Sequence, residues 1–490
     1  MDKAMKRIKY GVLFATLLFG SIAFTSCSTD KGEPSEANEE VKKEREELLA
    51  HVENEATWMA DSLNFDALNM MTRVNEQLLE AMNKDPRFAD NLKKVVTMLA
   101  ARNALSNMKP VEAGSELAQM GYSAYIPIDI SAFGVRVIFD EEGNYRFDPI
   151  EGLEFIFPAT IEGYGATAYK WSIKNNGDWY ESVSPVHLNG VRGLACVSRI
   201  PKSFTMTMSG LFDDKVVTML KGVVNIHLDE DAESDYVSFE GNAFQVEGQL
   251  TSCLQGAAYG LPNGDGQLNI SYGIDQTDRM NIGFDFTQHG RRVMDGNARM
   301  ELPQKKTVVD QLTDFLLDRS RLGQEDNLLY LAQIFAGNRT DVTLNILDEL
   351  TLSGTIDDGT QFCQALYDVK QQGQDSPMSA DEFDGCVQRL NQACNFFLSC
   401  PHISQPVPFQ WVAIQEDTKQ DVQPALLFAD NPDYIPLSEL VEETTMDNIQ
   451  KTHEATATAV GGAAGVSMQF ISRLVQFMPL NIEEWEQTIR

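Results

Sequence analysis

The chain has 490 residues, with 72 acidic side chains against 39 basic ones and a formal net charge of −33. Such a polyanion is excluded from nucleic-acid binding through phosphates, which needs clustered Lys and Arg, and from electrostatic adhesion to anionic lipid. Hydrophobic content of 43% supplies ample material for a core, and the length suggests about three domains.

Residues 1–26 have the composition of an export signal. Lys3, Lys6, Arg7 and Lys9 form a basic start. No charged residue follows from Gly11 to Ser26, where Val12, Leu13, Phe14, Leu17, Leu18, Phe19 and Ile22 make an apolar run. The run is too short for a comfortable transmembrane helix, which needs about 20 residues. A basic start, a short apolar run and small residues at the end, Thr25 and Ser26, predict a secretory signal peptide. Its removal takes away four bases and Asp2, so the charge falls from −33 to about −36.

Phe24-Thr25-Ser26-Cys27 resembles the relaxed lipobox of Bacteroidetes lipoproteins, with bulky Phe24 where the commonest lipobox has Leu. The resemblance is confined to the N-terminus. It implies that Cys27 becomes the first residue and carries acyl chains such as palmitate. It also implies an outer-membrane location, on the periplasmic face or the cell surface. Residues 27–45 then read as an acidic tether. Gly32, Pro34 and Ser35 lie in a stretch with no apolar pattern, which cannot bury enough surface to order itself. Fully extended, the tether reaches about 60 Å.

Residues 46–110 read as a helical segment, either a hairpin or a small bundle. Leu48, Val52, Met59 and Leu63 predict an amphipathic helix beginning near Val41. Leu68, Met71, Leu78, Leu79 and Met82 predict a second. Asp85-Pro86 is a helix start, and Phe88, Leu92, Val95, Val96 and Leu99 mark the third helix.

The period changes to two over residues 120–303, which predicts an antiparallel meander. Phe133, Val135, Val137 and Phe139 alternate with other residues, and Glu142-Gly143-Asn144 turns the chain. Asn175-Asn176-Gly177-Asp178 reads as a hairpin turn. Leu268, Ile270, Tyr272 and Ile274 alternate with Asn269, Ser271, Gly273 and Asp275, and Met280 to Phe286 repeats the pattern. The face carrying Val246, Leu250, Ile270, Tyr272, Ile282 and Phe284 is expected to be buried, partly under helices that follow Pro303. Residues 304–400 read as a helical domain, with Val308, Leu312, Phe315 and Leu316 on one helix and Leu328, Leu331 and Phe335 on another. Ser379-Ala380-Asp381-Glu382 reads as a capping box for a helix running through Phe383, Val387, Leu390, Phe396 and Phe397. Residues 401–490 read as a mixed α/β tail, with a β pair over Phe409–Ile414 and Pro424–Phe428 and a last helix over Met468–Met478. The predicted fold class is therefore α+β, with N-terminal helices, an antiparallel β-meander sheet and a C-terminal helical region ending in the mixed tail.

Few residue patterns carry chemistry. The sequence has no HExxH, GxSxG or Walker A pattern, and its six histidines are scattered. Asp229, Asp231, Glu233, Asp235 and Glu240 match an EF-hand count at positions 1, 3, 5, 7 and 12. Ser234 replaces the glycine that aims such ligands, so they read as a solvated acidic loop, a weak metal candidate. Cys363, Cys386, Cys394, Cys400 and His402 lack the close pairing of a structural zinc site. A disulfide from Cys363 to Cys394 or Cys400 is expected instead. No cofactor is predicted. The expected function is that of a membrane-anchored, non-catalytic protein binding a ligand or partner, lipid or protein, with an apolar sheet face as one binding surface. The alternative is a surface protein for glycan capture or hydrolysis. Aromatic content of 9% with 5 Trp, and no evident cluster of exposed Trp and Tyr, weighs against glycans.

Overall fold

The structure is a computed structural model. It describes residues 39–129, 133–161, 165–186, 192–212, 215–228, 236, 244–252, 266–302, 339–371 and 379–459, less positions 276, 278, 402, 417–418, 430, 453–454 and 457. The signal, Cys27, residues 303–338 and the predicted last helix lie outside the described residues.

Three helices come first, α1 (Glu39–Ser62), α2 (Asp66–Asn83) and α3 (Phe88–Ser106). Asp85 accepts from the Arg87 amide at 2.9 Å just before α3, as the Asp-Pro pair predicts. A short strand β1 (Lys109–Pro110) and a single turn α4 (Glu116–Gln119) lead into the β region. Its strands are β2 (Ala124–Asp129), β3 (Val135–Phe139), β4 (Tyr145–Pro149), β5 (Leu153–Pro158), β6 (Ala168–Asn175), β7 (Trp179–Val186), β8 (Leu194–Pro201), β9 (Ser203–Phe212), β10 (Lys215–Leu228), β11 (Phe244–Ser252), β12 (Gln267–Ile274), β13 (Arg279–Gln288) and β14 (Arg291–Glu301). After residue 338 come β15 (Thr340–Ile346), β16 (Leu350–Ile356), α5 (Gly359–Gln371), α6 (Ala380–Gln392), β17 (Cys394–Ser399), β18 (Val407–Glu416), β19 (Lys419–Leu426), β20 (Ile435–Pro436) and α7 (Leu437–Leu440). The fold class is α+β.

The described residues divide into two compact units, 39–68 with 277–459, and 69–275. The amphipathic face of α1 serves the first unit, and α2 and α3 belong largely to the second.

In the first unit the strands run in the order β13-β14-β15-β16-β17-β18-β19-β20, each antiparallel to the next. This is the predicted meander, continued well past residue 303. Residues 304–400 are thus not a helical domain, because β15, β16 and β17 fall within them. One sheet face carries Ala298, Val342, Leu344, Leu352, Phe396, Phe409 and Trp411 into a core with Leu48, Val52 and Ala56 of α1 and Phe383, Val387 and Leu390 of α6. Each large side chain buried there contributes about 1.5–3 kcal/mol. The opposite face is polar, with Asn297 beside Thr343 and Thr343 beside Ser353.

The capping box of α6 forms in full: the Glu382 amide donates to Ser379 Oγ at 3.4 Å, and the Ser379 amide donates to Glu382 Oε2 at 2.9 Å. The helix ends at Gln392, however, so Phe396 and Phe397 stand on β17. The expected longer helix fails because Phe396 is more useful in the sheet, edge-on to Phe409 at 6.4 Å. The tether also ends earlier than expected. Residues 39–45 are helical, the Arg45 guanidinium lies 5.2 Å above the Phe428 ring, and Glu44 accepts from the Ser404 amide at 3.0 Å.

A polar clamp fastens α1 to the turn between β13 and β14. Arg291 donates to both Glu55 carboxylate oxygens at 3.3 and 3.4 Å and stacks 4.7 Å from the Trp58 ring. His51 lies 3.5 Å from Glu349. Burial pushes the Glu55 carboxyl above its ordinary value, Arg291 pulls against the rise and Glu349 adds to it. With a raised folded-state value, Glu55 favours folding most below its ordinary value near 4.5, and this stabilisation is lost as pH rises through the raised value. Relative to Glu55→Gln, the wild-type protein should therefore lose melting temperature as pH rises above about 4.5. A wild-type advantage that grows with pH would reverse the assignment.

In the second unit the larger sheet runs β4-β3-β5-β6-β9-β10-β11-β12. Pairing is antiparallel except between β3 and β5, which are parallel because a tight link at Glu151-Gly152 carries the chain past the end of β3. Gly152 has φ +89°, and a Cβ there would meet the Ile173 carbonyl oxygen at 2.6 Å. A smaller sheet, β1-β2-β8-β7, contains the second parallel pair, β2 with β8. The turn at Asn175–Asp178 forms, with Gly177 at φ +110°. It does not close a hairpin: β6 pairs with β5 and β9, whereas β7 pairs with β8 in the smaller sheet. Asn176 explains the parting, since its amide and side chain both bond Ser203, at 3.0 and 2.8 Å, and hold the turn against the start of β9.

Candidate functional site

Two sheet faces of the second unit carry apolar and aromatic side chains that are not fully buried. The first is on the larger sheet. Register places Phe204, Val224, Gly248 and Ile270 in one row across β9 to β12, and Met206, Gly222, Leu250 and Leu268 in the next. These side chains are half-buried, and Ile270 is 48% exposed. The buried face expected for Val246, Leu250 and Ile270 is therefore only half closed among the described residues. Two glycines sit in the middle of it. A Cβ at Gly248 would meet only the Ile270 carbonyl at 3.9 Å, and one at Gly222 would touch Met206 Cε at 3.3 Å. Glycine inside a strand marks where a ligand or another backbone approaches closely. Gly248 thus leaves a shallow apolar trough beside Val224 and Ile270, whereas the space over Gly222, itself buried, is filled by Met206 and Leu250. The opposite face of the same strands carries Lys221, Asn225, His227, Glu247, Gln249 and Asn269 and is wet, as the alternation predicts.

The second surface is on the smaller sheet. Its inner face is fixed by Tyr180, whose hydroxyl donates to the Ile226 carbonyl at 3.2 Å and accepts from the Leu228 amide at 3.1 Å. Its outer face carries Trp179, Glu181 and Val183 on β7, Ala195, Val197 and Arg199 on β8, and Tyr125 and Asp129 on β2. Ala195 and Val197 are buried under Leu117, and half-buried Tyr122, Tyr125, Val183 and Tyr236 pack around them. The Arg199 guanidinium lies 4.2 Å from the Trp179 ring and donates to Glu181 at 3.0 Å. These aromatic residues are up to 114 positions apart (236 less 122). No local pattern joins them. The only sequence signal is the strand alternation that puts 179, 181 and 183 on one side.

The other candidates gather no site. Asp229, Asp231, Glu233, Asp235 and Glu240 lie outside the described residues, as does His402. Among the described residues no group of three or more His, Cys, Asp or Glu is placed to hold a metal. Cys363, Cys394 and Cys400 are free thiols, so the expected disulfide is not made. Cys394 begins a strand and donates to the Leu390 carbonyl at 3.2 Å, while Cys363 sits on α5 in the core. Burial pushes both thiols up to about 12, the mark of structural cysteines that stay protonated and inert. On the wet face of the first unit, Asp285, Asp295 and Asp348 share one guanidinium, Arg292, at 2.9, 3.8 and 3.6 Å. Asn345 donates to Asp295 at 2.9 Å and accepts from Thr351 at 2.8 Å, which extends this network across four strands, β13 to β16. His227 lies on the wet face, 3.6 Å from Glu247.

No protein-family model, curated protein or solved structure matches this chain.

Proposed function

We propose that the protein is an exported lipoprotein, anchored at the outer membrane through Cys27, and that it binds an apolar ligand, a lipid chain, in the trough on β9 to β12 without catalysis. The observation that carries this reading is Gly248 in the centre of a half-open apolar sheet face, where a Cβ would meet only the Ile270 carbonyl at 3.9 Å. Phe204, Val224, Ile226, Val246, Leu250, Leu268 and Ile270 offer area to bury and no charge to direct chemistry. An acyl chain buried there gains about 0.8 kcal/mol per methylene. A ligand pocket of this kind is apolar, shaped and largely preformed.

Native mass spectrometry of the protein purified from its own membrane tests the proposal. Wild-type protein should carry a lipid-sized adduct beyond its own acyl chains. Gly248→Leu fills the trough with apolar atoms and should release the adduct while the melting temperature stays within about 3 °C of wild type. An adduct that survives this substitution, or none in wild type, would remove the trough from consideration.

A further inference from the structure

From the free edge of β7 we infer that the protein has a second binding surface, which takes an extended basic segment of a partner protein as an added antiparallel strand. Four strands have a neighbour on one side only: β1, β4, β7 and β20. Three of them are blunted in the ways that keep sheets from pairing edge to edge. β1 and β20 are two residues long and end in Pro110 and Pro436. β4 has five residues, among them Arg146, Asp148 and Pro149. β7 has eight, pairs with β8 without a bulge and contains no Lys or Arg.

Register decides which backbone groups stay open. The Lys202 amide donates to the Asp178 carbonyl at 2.8 Å, so position 178 forms a bonded pair with 202, and bonded and unbonded pairs alternate from there. Tyr180, Ser182, Ser184 and Val186 therefore bond to β8, and Trp179, Glu181, Val183 and Pro185 turn their backbone groups outward. Pro185 and Pro201 both fall in unbonded pairs, where no N–H is needed. The amides of Trp179, Glu181 and Val183 form no hydrogen bond with any described residue. The strand is also held still. The Tyr180 hydroxyl bonds the Ile226 carbonyl and the Leu228 amide, which pins β7 to β10. A fixed edge accepts a strand at less entropic cost than a mobile one.

Side chains and charge select the occupant. Beside Glu181 the incoming strand meets a carboxylate whose Oε1 accepts from Arg199 at 3.0 Å and whose Oε2 accepts from no described residue. A Lys or Arg at that position pairs with it across the strands. Beside Val183 lies the small core of Leu117, Ala195 and Val197, which an aliphatic side chain extends. The net charge of −33 repels an acidic segment, and equally a second copy of this chain, and steers a basic one in. The occupant is thus a strand with a base and an aliphatic residue at alternate positions.

This edge is separate from the trough, and one titration tells them apart. The full chain is added to the fluorescein-labelled peptide TVSKSVT, which sets Lys opposite Glu181 and Val opposite Val183, and binding is followed by fluorescence anisotropy. Saturable binding is expected. TVSESVT, with Glu in place of Lys, should bind at least about fivefold more weakly, and Glu181→Lys should reverse that preference. N-methylation of the peptide at Lys and both Val residues removes the amides that face β7 and should abolish binding. N-methylation at the two Ser residues, whose amides face away, should not. These arms leave the protein untouched, so a misfolded variant cannot explain them. Gly248→Leu should bind TVSKSVT as wild type does. Absence of saturable binding, equal affinity for the two peptides, binding that tolerates methylation at Lys and Val, or binding lost in Gly248→Leu overturns the inference.

Discussion

Cys27→Ala is expected to move the protein completely from the membrane fraction to the soluble fraction and to abolish labelling with a fatty-acid analogue. Each buried methylene contributes about 0.8 kcal/mol, and one short acyl chain alone gives only marginal, reversible binding, so stable anchoring depends on several chains at one residue. Nothing else described in the chain replaces them. Among the described residues no helix is long and apolar enough to cross a membrane. The mature charge of about −36 opposes adsorption to anionic lipid. The effect should therefore be all-or-none. Ser26→Leu, which spoils the small residue before the cysteine, should leave the protein in the membrane as an uncleaved, larger species. If Cys27→Ala sediments with membranes as wild type does, the anchor lies elsewhere and the lipobox resemblance is accidental.

Periodicity carried most of the fold. Leu48 and Val52 of the predicted stripe are buried on α1, and Met71, Leu78 and Met82 on α2, because a helix must bury one face every three to four residues. The alternation from Phe133 to Phe139 marks β3 because its odd positions are all buried. Strand partners were less legible. The Asn-Asn-Gly-Asp turn is correctly formed, but which strand accepts β7 depends on β8, which follows it, and on Asn176 reaching Ser203. A helix end near a strand is ambiguous where an aromatic fits both patterns, as Phe396 does four residues after α6. The cysteines were misread because an oxidising compartment permits a disulfide without requiring one, and burial in the core satisfies Cys363 equally well. The apolar face of β11 and β12 was legible in the alternation of Val246, Leu250, Ile270 and Tyr272, but not that it stays half open. That Gly248 lies between Val224 and Ile270 on this face is fixed only once register aligns strands distant in sequence.

Gly354→Ala should unfold the first unit more readily than any conservative change on its surface. Gly354 stands in the middle of β16, opposite Val342 on β15 and Phe396 on β17. A Cβ there would collide with the Asn395 carbonyl oxygen and come within 2.8 Å of both Phe396 Cα and Phe396 Cδ1. Backbone atoms cannot rotate away, so the strands must part. The glycine is what lets the Phe396 ring lie across the sheet, an aromatic covering a glycine in the neighbouring strand. Phe396 in turn sets Phe409 edge-on at 6.4 Å, and Phe409 sets Trp411 at 5.0 Å. Trp411 is itself clamped by Asn391 of α6, which donates to its carbonyl at 2.7 Å and accepts from its amide at 2.8 Å. A shift at Gly354 therefore reaches the helix layer, and the cost should be about 3 kcal/mol or more. Gly385→Ala is the matched control in the same unit. Its Cβ would meet only Arg389 Nη1 at 3.7 Å, and alanine is favoured over glycine in a helix interior by about 1 kcal/mol, so this change should stabilise. Urea unfolding is followed by tryptophan fluorescence in a Trp171→Phe, Trp179→Phe, Trp485→Phe background, so that Trp58 and Trp411 of this unit report, and the midpoint should move in opposite directions for the two variants. Equal midpoints for Gly354→Ala and wild type would mean that β16 and β17 do not pair in this register.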